Sequence, residues 1–242
     1  MSPPLVAKFL MVLAAVACCL AAPAEAQNSP AAQRVFNKAR AASGGQGWNA
    51  LRGLHEVGEE GGARYERWVD PVRYGARTET MTGGGKLVQG YNGAGEWRIM
   101  PNGVETGSPD PAVVARVRTD AFLAAYAYFY PSRFDLRSSH IGARESRGRS
   151  YDVLRVQPAG GQPRELWFDR KTGLLGQIVD ESGGQRTTME LSDYRRVGPV
   201  MIAFAATTTG GGLTAPRLRK VESVDFRAAD RNLFSLPRRA TP

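Results

Sequence analysis

The 242-residue sequence is short of the residues that most metal proteins and many enzymes work with. It has two cysteines and two histidines. Both cysteines, Cys18 and Cys19, fall within the first 26 residues, so the remainder carries no thiol. That excludes a disulfide, a thiolate metal site and a cysteine nucleophile there. His55 and His140 stand far apart, and His55-Glu56 is not followed by a second histidine four residues on, so there is no zinc-protease helix. Neither a metal nor a cofactor is expected from so few ligands. No Gly-x-Ser-x-Gly elbow, Walker phosphate loop or dinucleotide Gly-x-Gly-x-x-Gly occurs. Carboxylates are plentiful, but Glu59, Glu60, Asp180 and Glu181 adjoin glycine turns, and Asp169 and Asp193 stand at strand ends. The expectation is a protein that is not an enzyme. The alternative is a hydrolase with an unrecognised acid pair.

Long apolar runs are also scarce. The longest is Phe9 to Ala22, preceded by the single charge of Lys8 and followed by Ala24-Glu25-Ala26. A charged start, a short apolar stretch and a small-x-small site are the layout of a secretory signal peptide. Residues 1–26 are therefore expected to be removed by cleavage after Ala26, leaving a single domain over 27–242 in the periplasm. The alternative is a lipid anchor at Cys18. Lysine is scarce as well, with five against 27 arginines, and the net charge is +9. The arginines are scattered rather than clustered in an arm, so nucleic acid is not an expected partner. Transient contact with an anionic membrane surface fits the charge.

Glycine, by contrast, is abundant, at 28 residues. Ser29-Pro30 reads as a helix start, and Val35, Phe36 and Ala39 as its apolar stripe, ended by Gly44-Gly45. Trp48 and Leu51 anchor the chain before a first strand at 53–59. Paired glycines and Asn-Gly turns then separate strand-like runs at 64–69, 72–80, 86–91, 96–100, 151–157, 165–169, 174–180, 186–194, 200–208 and 219–226. That spacing predicts an antiparallel meander, and the lack of strand–helix alternation argues against a parallel sheet. One insertion interrupts it. From Pro111 to Tyr130 the sequence is helical in composition, with stripes of Val114, Val117, Ala121, Ala124 and Tyr128 and of Phe122, Tyr126, Phe129 and Tyr130. A helix apolar over so much of its circumference is buried on more than one side.

Several strands are apolar on both faces, where a two-layer sheet needs only one. In "RELWFDRKTGLLGQIVD", Arg164 to Asp180, strand alternation puts Leu166, Phe168, Leu174 and Ile178 in one environment. Trp167, Leu175 and Val179 fall in the other. A mainly β fold follows, with α: a single curved antiparallel sheet forming an incomplete barrel around, or capped by, the helical insertion. Trp68, Trp97, Phe122, Tyr126, Phe129 and Trp167 are the candidates to line an apolar cavity inside it.

The Gly44-Gly45-Gln46-Gly47-Trp48 stretch, the strand pair Tyr151–Pro158 and Glu165–Leu175, the segment Ser192–Phe204 and the closing Asp230–Pro237 together resemble the LolA/LolB-like periplasmic lipoprotein carriers. The resemblance implies an incomplete antiparallel barrel wrapped round helices, with an apolar cavity that takes lipid. Its expected partners are a lipid or an acylated lipoprotein, or, for a scaffold, another envelope protein. Some relatives carry an aspartyl protease domain, which needs Asp-Thr/Ser-Gly. Here Lys171-Thr172-Gly173 has lysine in place of the acid.

Overall fold

A computed structural model describes residues 28–130, 133–228 and 230–237. The expected signal peptide lies outside the described residues.

Helix α1, Pro30–Ser43, begins as its sequence dictates. The Ser29 hydroxyl accepts from the Ala32 amide at 3.1 Å, and Pro30 occupies the first turn. Ala32, Phe36, Ala39 and Ser43 form its buried face. Gly44 ends it at φ 136°, where a β-carbon would stand 2.6 Å from the Pro199 carbonyl oxygen. A 3₁₀ turn over Gly45–Ala50 then buries Trp48, whose indole N–H donates to the Ser43 hydroxyl at 3.0 Å.

Thirteen strands follow: β1 Leu54–Glu60, β2 Ala63–Asp70, β3 Gly75–Thr82, β4 Gly85–Tyr91, β5 Glu96–Ile99, β6 Glu105–Thr106, β7 Leu136–Ser146, β8 Arg149–Pro158, β9 Arg164–Asp169, β10 Leu175–Asp180, β11 Thr187–Val197, β12 Val200–Gly210 and β13 Arg217–Asp225. They form one antiparallel sheet in the order β6-β5-β4-β3-β2-β1-β13-β12-β11-β10-β9-β8-β7, with β6 and β7 as its ends. The chain runs outward through β6, crosses over by the helical insertion, and returns from the opposite edge. The predicted meander is thus two meanders joined where β13 pairs with β1.

β7 was absent from the expected strands. Its Leu-Arg-Ser-Ser-His-Ile-Gly-Ala-Arg-Glu-Ser sequence is polar because it is an edge, and it bulges between His140 and Gly142. The insertion is also shorter as a helix than expected. Helix α2 covers Pro111–Ala124, with Asp110 as its N-cap, and stops where Tyr126 takes a left-handed conformation at φ 51°. Ala127–Phe129 continue as a 3₁₀ turn. The break redirects the aromatic residues. Tyr126 and Phe129 lie 4.7 and 5.2 Å, ring to ring, from Trp48, and Tyr128 lies 6.0 Å from Phe36. A continuous helix would spread these rings around its axis instead.

The double-sided apolar hairpin has a direct explanation. Leu166 and Phe168 belong to the main core inside the curved sheet, with Ile178 packed against it. Trp167 and Val179 join Tyr151, Val153 and Ile141 in a second cluster on the outer face. Leu175 departs from strict alternation. The ladder slips between Leu175 and Gln177, so Leu175 pairs with Phe168 and joins the main core. The extra residue is Gly176, and the Tyr151 ring fills the place of its missing side chain. Leu174 is half-buried at the hairpin turn.

Candidate functional site

The inner face of the sheet is filled by the protein's own side chains. Phe36, Trp48, Phe122, Tyr128, Leu154, Leu166 and Ile202 are each no more than 2 % exposed. The Tyr130 hydroxyl donates to the Trp48 carbonyl, tying the end of the insertion to the turn after α1. Between Trp48, Leu54, Val69 and Tyr126 there is a void of only about 10 Å³.

The six residues expected to line one cavity divide by face. Phe122, Tyr126 and Phe129 belong to the plug inside the sheet. The three tryptophans lie outside. Asp225, His55, Trp68, Arg77, Gly90 and Trp97 form one cross-strand row from β13 to β5 on the face opposite Leu54 and Val69. Trp68 stacks on His55 at 5.2 Å. Trp97 is covered by the tail: its indole N–H donates to the Phe234 carbonyl at 2.8 Å, and the Arg77 guanidinium sits 5.6 Å from its ring. Trp167 is in the outer cluster, 5.9 Å from the Arg186 guanidinium. The tryptophan inside is Trp48, which the sequence marked only as an anchor.

An open site lies where the sheet splits. β10 and β11 pair only from Gln177–Glu190 to Asp180–Thr187. Beyond that, β11 follows β12 while β10 stays with β9. The gap is a cleft of about 940 Å³. Leu174, Leu175, Leu191 and Tyr194 give it an apolar floor, and Lys38, Arg149, Arg170 and Lys171 supply cations. Asp152, Asp169 and Asp193 are its acids, and each is engaged. Asp169 accepts from the amides of Lys171 and Thr172, Asp193 pairs with Arg195 at 2.7 Å, and Asp152 lies 3.6 Å from Arg170. The Tyr194 hydroxyl donates to the Leu175 carbonyl at 2.6 Å, bridging the diverging strands. Burial holds the Tyr194 phenol well above its usual pKa. Helix α1 underlies the cleft: Gly173 packs on Ala42, and the Lys38 ammonium donates to the Arg170 carbonyl at 2.7 Å.

A second polar group is set into the inner face itself. The Tyr65 hydroxyl donates to the Glu56 carboxylate at 2.6 Å, and Arg67 lies 3.5 Å from the same oxygen. Gly58 makes this possible, since a β-carbon there would stand 2.8 Å from the Tyr65 hydroxyl oxygen. Burial, and then Glu56, raise the Tyr65 pKa. The same two causes push the Tyr126 phenol up to about 12. Nothing in the sequence alone marks these residues, because Glu56 and Arg67 resemble ordinary strand charges. Among the described residues no group of three or more histidines and carboxylates could hold a metal ion, and no helix is long and apolar enough to cross a membrane.

A long antiparallel sheet, open at both ends and curled around an N-terminal helix and a mid-chain helical plug, is the half-barrel class of fold. Its fold is similar to that of solved structures described as LolA-superfamily and lipoprotein-sorting proteins. The chain superposes on a domain assigned as an outer membrane lipoprotein-sorting protein, from Vibrio parahaemolyticus, with a TM-score of 0.56, at 13% identity over 84% of this chain and 95% of that one. A LolA superfamily protein from Nitrosomonas europaea gives 0.54, at 12% identity over 84% and 97%. A DUF1329 family protein from Desulfovibrio piger gives 0.52, at 10% over 84% and 96%. No family model and no curated protein sequence matches the chain.

Proposed function

We propose that this is a non-enzymatic periplasmic protein that binds or carries a lipid or an acylated protein, exported by a signal peptide over residues 1–26 and working as one domain over 27–242. The observation that carries this is the 940 Å³ cleft, whose apolar floor merges with the main core through Leu175 and whose rim carries cations. An acyl chain gains ~0.8 kcal/mol per buried CH₂, and the cations suit an anionic headgroup. The fold shared with a lipoprotein-sorting domain supports the same conclusion. The plug residues Phe122, Tyr126 and Phe129 enter this scheme as the part that would move aside to extend the cleft inward. Trp68, Trp97 and Trp167, on the outer face, are not assigned to the ligand. The test is titration of the delipidated protein with a fluorescent acyl probe. Saturable uptake, competed by phospholipid, is expected; no uptake contradicts the proposal.

The packed interior favours a second function, a scaffold that contacts another envelope protein and takes no lipid. In-cell cross-linking separates the two: one defined protein partner together with no lipid uptake supports the scaffold.

A further inference from the structure

Three arginines gather where α1 meets the end of the insertion, and none has a counter-charge. Arg40, Arg52 and Arg133 form no ion pair among the described residues. Each hydrogen-bonds neutral oxygens only. Arg40 donates to the Asn49 side chain, Arg52 to the Asn49 carbonyl at 2.7 Å, and Arg133 to the Pro71 carbonyl at 3.2 Å. Asp135, the acid nearest Arg133 in sequence, pairs with none of them. The guanidiniums of Arg40 and Arg133 lie 5.5 and 4.6 Å from the centre of the Tyr130 ring, an attraction that positions both. Burial raises the pKa of the Tyr130 phenol, and the charges that oppose it are Arg133, Arg40 and Arg52, with no carboxylate among them.

Two of these arginines wall a cavity of about 270 Å³. Gln33, Asn37 and Arg40 recur at helical spacing along α1 and form one side. Asn49 comes from the turn after α1, and Tyr130 and Arg133 from the end of the insertion. The Tyr130 hydroxyl is tied to the Trp48 carbonyl, so its ring is a fixed wall. Asn37 accepts from Gln33 at 2.9 Å through its side-chain oxygen, which leaves its own amide N–H groups unspent. No aspartate or glutamate lines the cavity, and it shares no lining residue with the cleft between β10 and β11. Its volume falls just below the ~300–1,000 Å³ of pockets that take drug-sized molecules, so the ligand it suits is small.

We infer that this cavity binds a small oxyanion, its carboxylate or phosphoryl oxygens held by Arg40, Arg133 and the Asn37 amide. A planar guanidinium fork matches such oxygens two at a time. A cation or a zwitterion does not fit, because no lining side chain carries a negative charge to meet it. The bound anion also offsets the repulsion among three arginines that face no acid. The site stands apart from the cleft and does not depend on acyl-chain uptake.

Calorimetric titration of the purified protein at fixed ionic strength with inorganic phosphate, glycerol 3-phosphate, succinate and neutral glycerol tests it. Arg40→Gln and Arg133→Gln should each weaken anion binding about tenfold or more, the loss expected when a charged hydrogen-bonding partner is removed. Arg133→Lys should lose less. Arg137→Gln, exposed on β7 and outside the cavity, should change affinity by roughly twofold or less, since an exposed charge at a distance is screened by salt. Circular dichroism melts confirm folding. If Arg40→Gln does not fold, the Arg133 variants decide, because that side chain is exposed and holds only a carbonyl. Binding of phosphate and glycerol 3-phosphate without succinate identifies a phosphoryl ligand, and binding of succinate alone identifies a carboxylate. Binding of all three identifies a general oxyanion site. Each of these results supports the inference. It is overturned if the wild type binds none of the three, if glycerol binds as tightly as glycerol 3-phosphate, if the Arg133 variants bind as the wild type does, or if Arg137→Gln loses as much.

Discussion

Gly90 faces Trp97 across the β4–β5 ladder, and the indole occupies the glycine's missing side chain so closely that a β-carbon would stand 2.2 Å from the ring. The indole is held there from above by the Phe234 carbonyl. Gly90→Ala must therefore displace Trp97 and loosen the tail. Overpacking of this kind costs about 1–3 kcal/mol. Urea unfolding should show that loss, with a red shift of tryptophan emission. Stability within about 0.5 kcal/mol of wild type would show that Trp97 is not locked.

The tryptophans should rank by face. Trp48→Ala removes a side chain only 1 % exposed in the main core, packed against the plug, and such truncations cost about 3–5 kcal/mol. Trp68→Ala removes a half-buried ring on the outer face and should cost roughly 1 kcal/mol. Denaturant midpoints at unchanged slope measure both. A reversed order would place the inside of the sheet wrongly.

Base should open the plug. The Tyr126 phenol is raised in the fold from 10.0 to about 12 by burial and by Glu56. Its folded pKa exceeds its unfolded one, so the stability it confers is whole below pH 10 and is lost between about 10 and 12. Full loss amounts to roughly 2–3 kcal/mol. Tyr126→Phe should flatten that part of the stability–pH curve, read by urea unfolding from pH 8 to 11.5. An unchanged curve would assign the base sensitivity to other tyrosines.

Charge in the cleft should block acyl uptake. Leu191 is part of the cleft floor, and Leu191→Asp replaces an apolar contact worth ~1.5–3 kcal/mol. Affinity for the acyl probe should fall about tenfold or more, whereas Trp68→Ala should leave it unchanged. Equal effects of the two would place the acyl site elsewhere.

Much of this fold was legible in the sequence, and the site much less so. Strand alternation separated Leu166 and Phe168 from Trp167, and the ladder keeps them apart. Alternation cannot say which set faces inward, so Trp68, Trp97 and Trp167 could not be told from the plug residues. A one-residue bulge at Gly176 moved Leu175 to the other face, and such a slip has no signal beyond the glycine itself. β7 escaped because an edge strand needs little apolar character. The cleft arises where β11 leaves β10 for β12, a property of pairing between distant segments.

The most direct test of lipid binding is native mass spectrometry of the full-length protein purified from the cell envelope without detergent exchange. The expected spectrum contains the mature chain plus a discrete mass that fragments to a phospholipid or an acylated peptide. That adduct should persist in Trp68→Ala and be reduced in Leu191→Asp. A spectrum of the bare chain alone, unchanged after incubation with phospholipid vesicles, would contradict the carrier function.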